Sequence, residues 1–413
     1  MGSFSHRKAG ALTGRDFRWL WGAYAVSVFG TWLAFDAFPM IAVLVLDAGP
    51  AQVSALAAVG PAVGALAAVP LGPWVEFRRK RPVMVATDLV RCAALLSVPL
   101  AYAFGVLGLG QLLVVSVIVA AADITFTSAS GAYLKWLVPK DQLLTANARF
   151  ESTMWTATML GPPLGGAAIG VVGPVVTVVG NAVSFLLSAL GLARVRGREP
   201  QPAKAPAPGW GELVEGWRYV LAHPVLRALL LNAALVNGLI MAGAPLLAVL
   251  MLGELGFPPW QYAMAFAVPC IGGLVGSRLA RRLVPRFGRR RLLLWFGTLR
   301  ACWPVGLAFV HAGPSGLVLI ILVELGLITC AGAYNTVLAT VRLEWTPADR
   351  VTRVLSAWSV STKAGIAGLT AFWGVVAGVA GTRTALGVAG VILLASPLLL
   401  RGVRRGRRFV EAA

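Results

Sequence analysis

Charge is what this chain has least of. Only 13% of its 413 residues are charged, 58% are hydrophobic, and the mean hydropathy is +0.79. Soluble domains carry about 25% charge, so a water-soluble multidomain enzyme is excluded. The four cysteines (Cys92, Cys270, Cys302 and Cys330) lie in apolar segments without CxxC spacing. They read as small buried hydrophobes rather than a disulfide framework or metal site. The chain also lacks a Gly-Lys-Ser/Thr phosphate loop, an HExxH helix and a Gly-x-Ser-x-Gly elbow, so neither enzymatic activity nor a cofactor is expected.

Long apolar runs are what the chain does have. Ser152–Ala193 is free of formal charge over 42 residues and is interrupted only by Gly173-Pro174. A membrane-crossing helix needs about 20 apolar residues, so this run holds two helices and a hairpin. The whole chain reads as about twelve spans, near 18–46, 51–75, 83–104, 110–134, 146–170 and 174–193, then 225–252, 258–280, 291–311, 315–341, 351–379 and 383–403. The first sixteen residues are too polar for a cleaved signal peptide, and the first apolar segment should stay in the membrane.

The net charge of +20 is distributed in a way that does not suit nucleic acid. Basic clusters fall at the N-terminus, Arg78–Arg81, Lys135–Arg149, Arg194–Lys204, Arg278–Arg291, Arg342–Arg353 and Arg401–Arg408, and the connections between them carry almost none. This alternation is the positive-inside pattern of a multi-pass inner-membrane protein with both termini cytoplasmic. The expected partners are membrane lipids, protons and a small-molecule substrate. A monomer is expected, with no nucleic acid.

The chain repeats itself. Leu134-x-Trp136 and Pro139-x-Asp141 recur as Leu343-x-Trp345 and Pro347-x-Asp349, an offset of 208 to 209 residues. Arg91-Cys92-Ala93 likewise recurs as Arg300-Ala301-Cys302. Duplicated membrane segments point to a transporter of two similar halves, here 1–193 and 225–413. They are joined by a linker, 194–224, that ends in an amphipathic helix. Trp210, Leu213, Val214, Trp217 and Val220 form its apolar stripe, with Glu212, Glu215 and Arg218 away from it. It either lies along the inner membrane surface or packs on its neighbours as a cytosolic helix.

Several motifs resemble those of the major facilitator superfamily, in particular its enterobactin-exporter and macrolide-efflux branch. They are Leu137-Val138-Pro139-Lys140-Asp141-Gln142-Leu143, Gly161-Pro162-Pro163-Leu164-Gly165-Gly166, Asn181-Ala182-Val183-Ser184-Phe185, and Glu215-Gly216 with His223-Pro224. The loop after the second span, Gly72 to Arg81, is similar to that family's Gly-x-x-x-Asp-Arg-x-Gly-Arg-Lys, with Glu76 for the aspartate and Phe77 and Arg79 also departing from it. The resemblance implies an all-α fold of twelve helices in two pseudo-symmetric six-helix halves.

It also implies a gating latch. Gly72 would let the second helix approach a neighbour closely, and Glu76 would meet the start of the eleventh helix and pair with Arg350 or Arg353. Arg79, Lys80, Arg81 and Asp88 complete this gating region. In the fifth helix, Gly161, Pro162, Gly165 and Gly166 would permit close contact and a bend.

Charge inside the spans is the sharpest residue-level signal, because each such group costs about 2.5–3.5 kcal/mol near the bilayer centre. Asp36, Asp123 and Glu324 fall on helices one, four and ten, which line the central cavity of the resembled fold, and are candidates for carrying protons or binding substrate. Asn232 and Asn237 add polar groups on helix seven. Arg91, Arg300 and Lys363 are candidate buried partners, and Asp88 with Arg91 at i and i+3 reads equally as a structural pair. The expected function is proton-coupled efflux of small amphipathic molecules, drugs or secondary metabolites. The alternatives are an importer, a lysophospholipid flippase or a membrane sensor.

Overall fold

The computed structural model describes residues 14–35, 37–48, 62–67, 69–197 and 210–400, together with Gln52, Leu56, Glu199 and Val403. Among them every regular element is helical. Asp36, most of the second span, the linker centre and the basic tail lie outside the described residues.

The first half contributes α1 (Arg15–Leu33), α2 (Ala37–Leu44), α3 (Leu71–Glu76), α4 (Lys80–Ala103), α5 (Leu109–Leu137), α6 (Leu143–Val172) and α7 (Pro174–Ala193). The linker helix is α8 (Trp210–Ala222). The second half contributes α9 (Pro224–Ala248), α10 (Pro259–Ala267), α11 (Cys270–Phe287), α12 (Arg289–Cys302), α13 (Pro314–Trp345), α14 (Val351–Ala380) and α15 (Thr382–Ala395). Among the described residues nine helical stretches are long and apolar enough to cross a membrane.

Helix ends follow local chemistry. α7 and α9 both begin on proline at the first turn, where its missing N–H costs nothing. Gly173, at φ 83°, provides the left-handed turn between α6 and α7. Prolines also break expected spans. The eighth divides at Val268-Pro269 into α10 and α11, and the ninth tightens after Cys302 into a 3₁₀ turn, Trp303–Phe309, that contains Pro304. After the internal Pro245, the seventh ends in a π turn, Val249–Glu254. Cys302, expected to be buried, is exposed on α12.

The chain divides into two compact units. The first comprises Met1–Ala146, Leu160–Arg218 and Leu343–Val360, and the second Asn147–Met159, Tyr219–Arg342 and Ser361–Ala413. Each sequence half therefore lends a segment to the other's unit: Asn147–Met159 of α6 joins the second, and Leu343–Val360, the end of α13 and the start of α14, joins the first.

Lipid tails are as apolar as leucine, so helices associate in a membrane through close packing rather than water exclusion. In the first unit, α1 meets α7 where Gly30 faces Ser184. In the second, α6, α11 and α13 meet through glycines. Gly273 lies against the Trp155 ring, and a Cβ on Gly332 would stand 2.6 Å from the Gly273 carbonyl. Trp373 Nε1 donates to the Ala385 carbonyl at 2.9 Å and ties α14 to α15.

Helix α8 packs on its neighbours. Gly216 sits against the Arg353 carbonyl and Ala357, and Trp217 packs on a cluster of Ala65, Ile124 and Val360. Val214, counted in the apolar stripe, is 54% exposed, whereas Glu215 pairs with Arg350 and with Arg353 of α14. The interior ion pairs, not the stripe alone, fix the helix's rotation.

Candidate functional site

The loop after the second apolar run forms a closed electrostatic contact within the first unit. Gly72 lies against Ser356 of α14, and a Cβ there would stand 2.9 Å from the serine Cβ, so no larger residue lets the helices come this close. One turn later, Glu76 Oε2 lies 2.9 Å from Arg353 Nε and accepts from the Thr352 hydroxyl at 3.3 Å. Arg353 is buried and Glu76 nearly so, 6% and 9% exposed. Arg353 also pairs with Glu215 and stacks over the Phe77 ring at 5.1 Å. Of the two arginines considered from sequence, Arg353 meets Glu76, while Arg350 pairs with Glu215 and Asp349.

Glu76 lies just past Val75, where the apolar run ends. Burial pushes its carboxyl up to about 7, against the pull of Arg353, Thr352 and Lys80. The charged, paired form therefore prevails above that pH and is lost as pH falls through it.

The other basic residues of this loop cap helices. Lys80 Nζ donates to the carbonyls of Val75, Glu76 and Arg78 at the end of α3. Arg81 donates to the carbonyls of Leu192 and Ala193 at the end of α7. Cations at helix C-termini satisfy orphan carbonyls and oppose the negative dipole end. Arg79 is exposed and makes no ion pair among the described residues. The two copies of the repeated loop also touch, with Lys135 Nζ donating to the Thr346 carbonyl.

Each unit buries one guanidinium from the repeated Arg-Cys-Ala and Arg-Ala-Cys motifs, but in different surroundings. Arg91 pairs with Asp88 and lies 3.6 Å from Asp123. It stacks on Phe126 and Phe185, and Ser188 donates to Asp88 at 2.6 Å. Asp88 is fully buried inside α4 and belongs to this cluster rather than to the gating loop. Arg300 has no carboxylate in ion-pair reach among the described residues. Its Nη2 donates to Asn232 Oδ1 at 2.7 Å, and its guanidinium lies 3.7 Å over the Tyr334 ring. Asn232 is also fully buried, accepting from the Tyr334 hydroxyl and donating to the Ser396 carbonyl, so it supports Arg300 and does not line a cavity.

The candidate acids separate. Asp123 remains 47% exposed despite its contact with Arg91. Glu324 is half-buried in the middle of α13, with no basic side chain in ion-pair reach among the described residues. Asn237 and Lys363 are half-buried on α9 and α14.

Glu151, on α6, was not foreseen. It accepts from Trp155 Nε1 at 3.0 Å and Asn335 Nδ2 at 3.2 Å, with no ion pair among the described residues. It lies inside the expected span 146–170, but close to its start and two residues after the basic cluster Lys135–Arg149, so it does not stand out among the charges within spans. The unbroken helical register from Leu143 was the available signal.

Comparison with known proteins decides the family: the model of the Major Facilitator Superfamily matches residues 20–341. The chain belongs to that superfamily. It is 27% identical over 331 residues to the multidrug efflux pump Tap of Mycolicibacterium fortuitum, covering 75% of this chain and 78% of Tap. It is 26% identical over 285 residues to the uncharacterized MFS-type transporter YvqJ of Bacillus subtilis (strain 168), spanning 66% of each. In fold it is similar to a bacterial homologue of the iron transporter ferroportin, solved in an outward-facing state. There the TM-score is 0.80 at 15% identity, covering 95% of this chain and 99% of that one.

As a facilitator-superfamily transporter, the protein places its fifth-helix glycines selectively. Gly161 packs on Trp32 and Gly165 on the Leu33 carbonyl at the end of α1, whereas Gly166 faces open space. Pro162 stays within an unbroken α6. The motif is a helix-contact surface made by two of its three glycines.

Proposed function

We propose that this transporter exports small amphipathic molecules, drugs or secondary metabolites, in exchange for protons by alternating access. Glu324 is the observation that carries this reading. A carboxyl within a membrane helix, at an insertion cost of about 2.5–3.5 kcal/mol, has no cation beside it among the described residues to account for it structurally. Asp123 supports it as a second, half-exposed acid in the first unit, and Asp36 remains a candidate from its position in sequence. Direction rests on the likeness to Tap and on the motifs similar to the enterobactin-exporter and macrolide-efflux branch.

In this reading the two sequence halves move about the linker, and the contacts of Gly72 and Glu76 with the start of α14 hold one access state. Breaking them releases the other. A proton moving down about 100 mV yields about 2.3 kcal/mol, which sustains a substrate gradient of roughly fifty-fold. The protein works as a monomer in the inner membrane with both termini cytoplasmic, in keeping with its alternating basic and neutral loops.

The test is efflux of a panel of amphipathic antibiotics and dyes from a pump-deficient host expressing the wild type or Asp36→Asn, Asp123→Asn and Glu324→Gln. Glu324→Gln should abolish proton-dependent efflux. Full efflux by all three variants would remove the assignment.

A further inference from the structure

Outside the gating contacts and the buried clusters, the first unit holds a cavity of about 630 Å³ between α1 and α7. Its two ends differ in chemistry. At one end stand Arg15 and Arg18, both exposed and one helical turn apart in the first turn of α1. From the other helix, Arg194 caps α7 and lays its guanidinium 5.2 Å over the ring of Trp19, a lining residue.

The helix start adds to this positive end. Gly14 caps α1 without a side chain, and the positive end of the helix dipole lies beside these arginines. The one acid of that turn, Asp16, is turned elsewhere and accepts the Arg196 N–H at 3.0 Å.

Away from the arginines the cavity is an apolar trough. Gly22 forms its floor, and a Cβ there would meet nothing within 4 Å. Gly191 adds depth, since a Cβ on it would reach only Trp19 and Ala23, at 3.6 Å or more. Val26 and Leu187 form the walls, 39% and 53% exposed. A trough of this kind on the outer surface of a membrane helix pair has no water to fill it, and an acyl chain matches it in chemistry. Three guanidinia near one end match a phosphodiester.

We infer that this groove binds an anionic phospholipid, its phosphate held by Arg15, Arg18 and Arg194 and one acyl chain lying along Trp19, Gly22, Val26 and Leu187. None of these residues is a candidate cavity acid or makes the contacts of Gly72 and Glu76.

The test uses the full-length transporter, delipidated in mild detergent and titrated separately with phosphatidylglycerol, with phosphatidylcholine of the same chains, and with inorganic phosphate. Native mass spectrometry reads the bound lipid and thermal unfolding reads the stabilisation. Phosphatidylglycerol should remain bound and raise Tm, while phosphatidylcholine and free phosphate should do neither. Arg15→Gln with Arg18→Gln should weaken retention about thirty-fold. Gly22→Phe, which fills the trough without touching a charge, should abolish it. Leu187→Trp fills it from the other helix and serves where Gly22→Phe folds poorly. Equal retention of the two lipids, or retention unchanged in the arginine variant, would overturn the inference. So would stabilisation by phosphate alone, or wild-type binding by both trough-filling variants.

Discussion

Arg353 Nε lies 2.9 Å from Glu76 Oε2, joining the start of α14 to the end of α3 across 277 positions of sequence. Arg353→Met leaves the Glu76 carboxylate without this cation, at a cost of about 3–5 kcal/mol to this arrangement, whereas Glu76→Gln leaves Arg353 still paired with Glu215 and should cost less. Arg353→Met and Glu76→Gln should each shift the transporter away from the latched state. Accessibility of an introduced cysteine beside Ser356 should rise in both variants, and unchanged labelling would contradict the latch.

The latch should also respond to pH. Because Glu76 is held up at about 7, it is charged and paired above that value and becomes neutral as pH falls below it. Labelling of the same introduced cysteine should therefore increase between pH 8 and 6 in the wild type. In the Glu76→Gln variant it should be high and flat. Relative to an unfolded value of 4.5, the raised carboxyl takes up a proton on folding between 4.5 and about 7. Its contribution to stability therefore falls as pH rises through that window.

The two buried arginines should differ in what their loss does. Arg91→Met leaves Asp88 fully buried without its cation, and a drop of about 3–5 kcal/mol is expected. Arg300→Met strands no carboxylate, only the Asn232 amide oxygen, which keeps the Tyr334 hydroxyl. It should cost about 1–3 kcal/mol. Thermal unfolding in detergent distinguishes them, and the reverse order would refute the ion-pair assignment.

The glycines of α6 provide a packing test. Gly165→Ala drives a methyl into the Leu33 carbonyl, whereas at Gly166 a methyl meets nothing within 4 Å. Gly165→Ala should cost about 1–3 kcal/mol of stability or more and so lower both the yield of folded protein and the unfolding temperature. Gly166→Ala should match the wild type in both.

Much of this was readable in the chain itself, because lipid leaves few options. Apolar run length set the helices, and the 208–209 offset set the internal duplication. The role of Asn232 was not readable: its position on the seventh span suggested a cavity group, and only the approach of Arg300 and Ser396 shows why it is buried. The repeat also hid a difference. At the same offset from Asp88 stands Gly297, which packs against Leu400 and the Tyr334 ring, so the second arginine finds an aromatic face where the first finds a carboxylate. Side-chain partners that come from distant helices leave no periodic trace, and for that reason Arg353 could not be separated from Arg350 beforehand.

The most direct measurement is uptake into everted membrane vesicles containing the wild type or Glu324→Gln, with a panel of amphipathic dyes supplied outside and the vesicle interior acidified. Wild-type vesicles should accumulate at least one dye, release it when a protonophore collapses the gradient, and lose both behaviours on Glu324→Gln. Accumulation that persists without the gradient, or vesicles that accumulate nothing beyond those from cells lacking the protein, would contradict proton-coupled export.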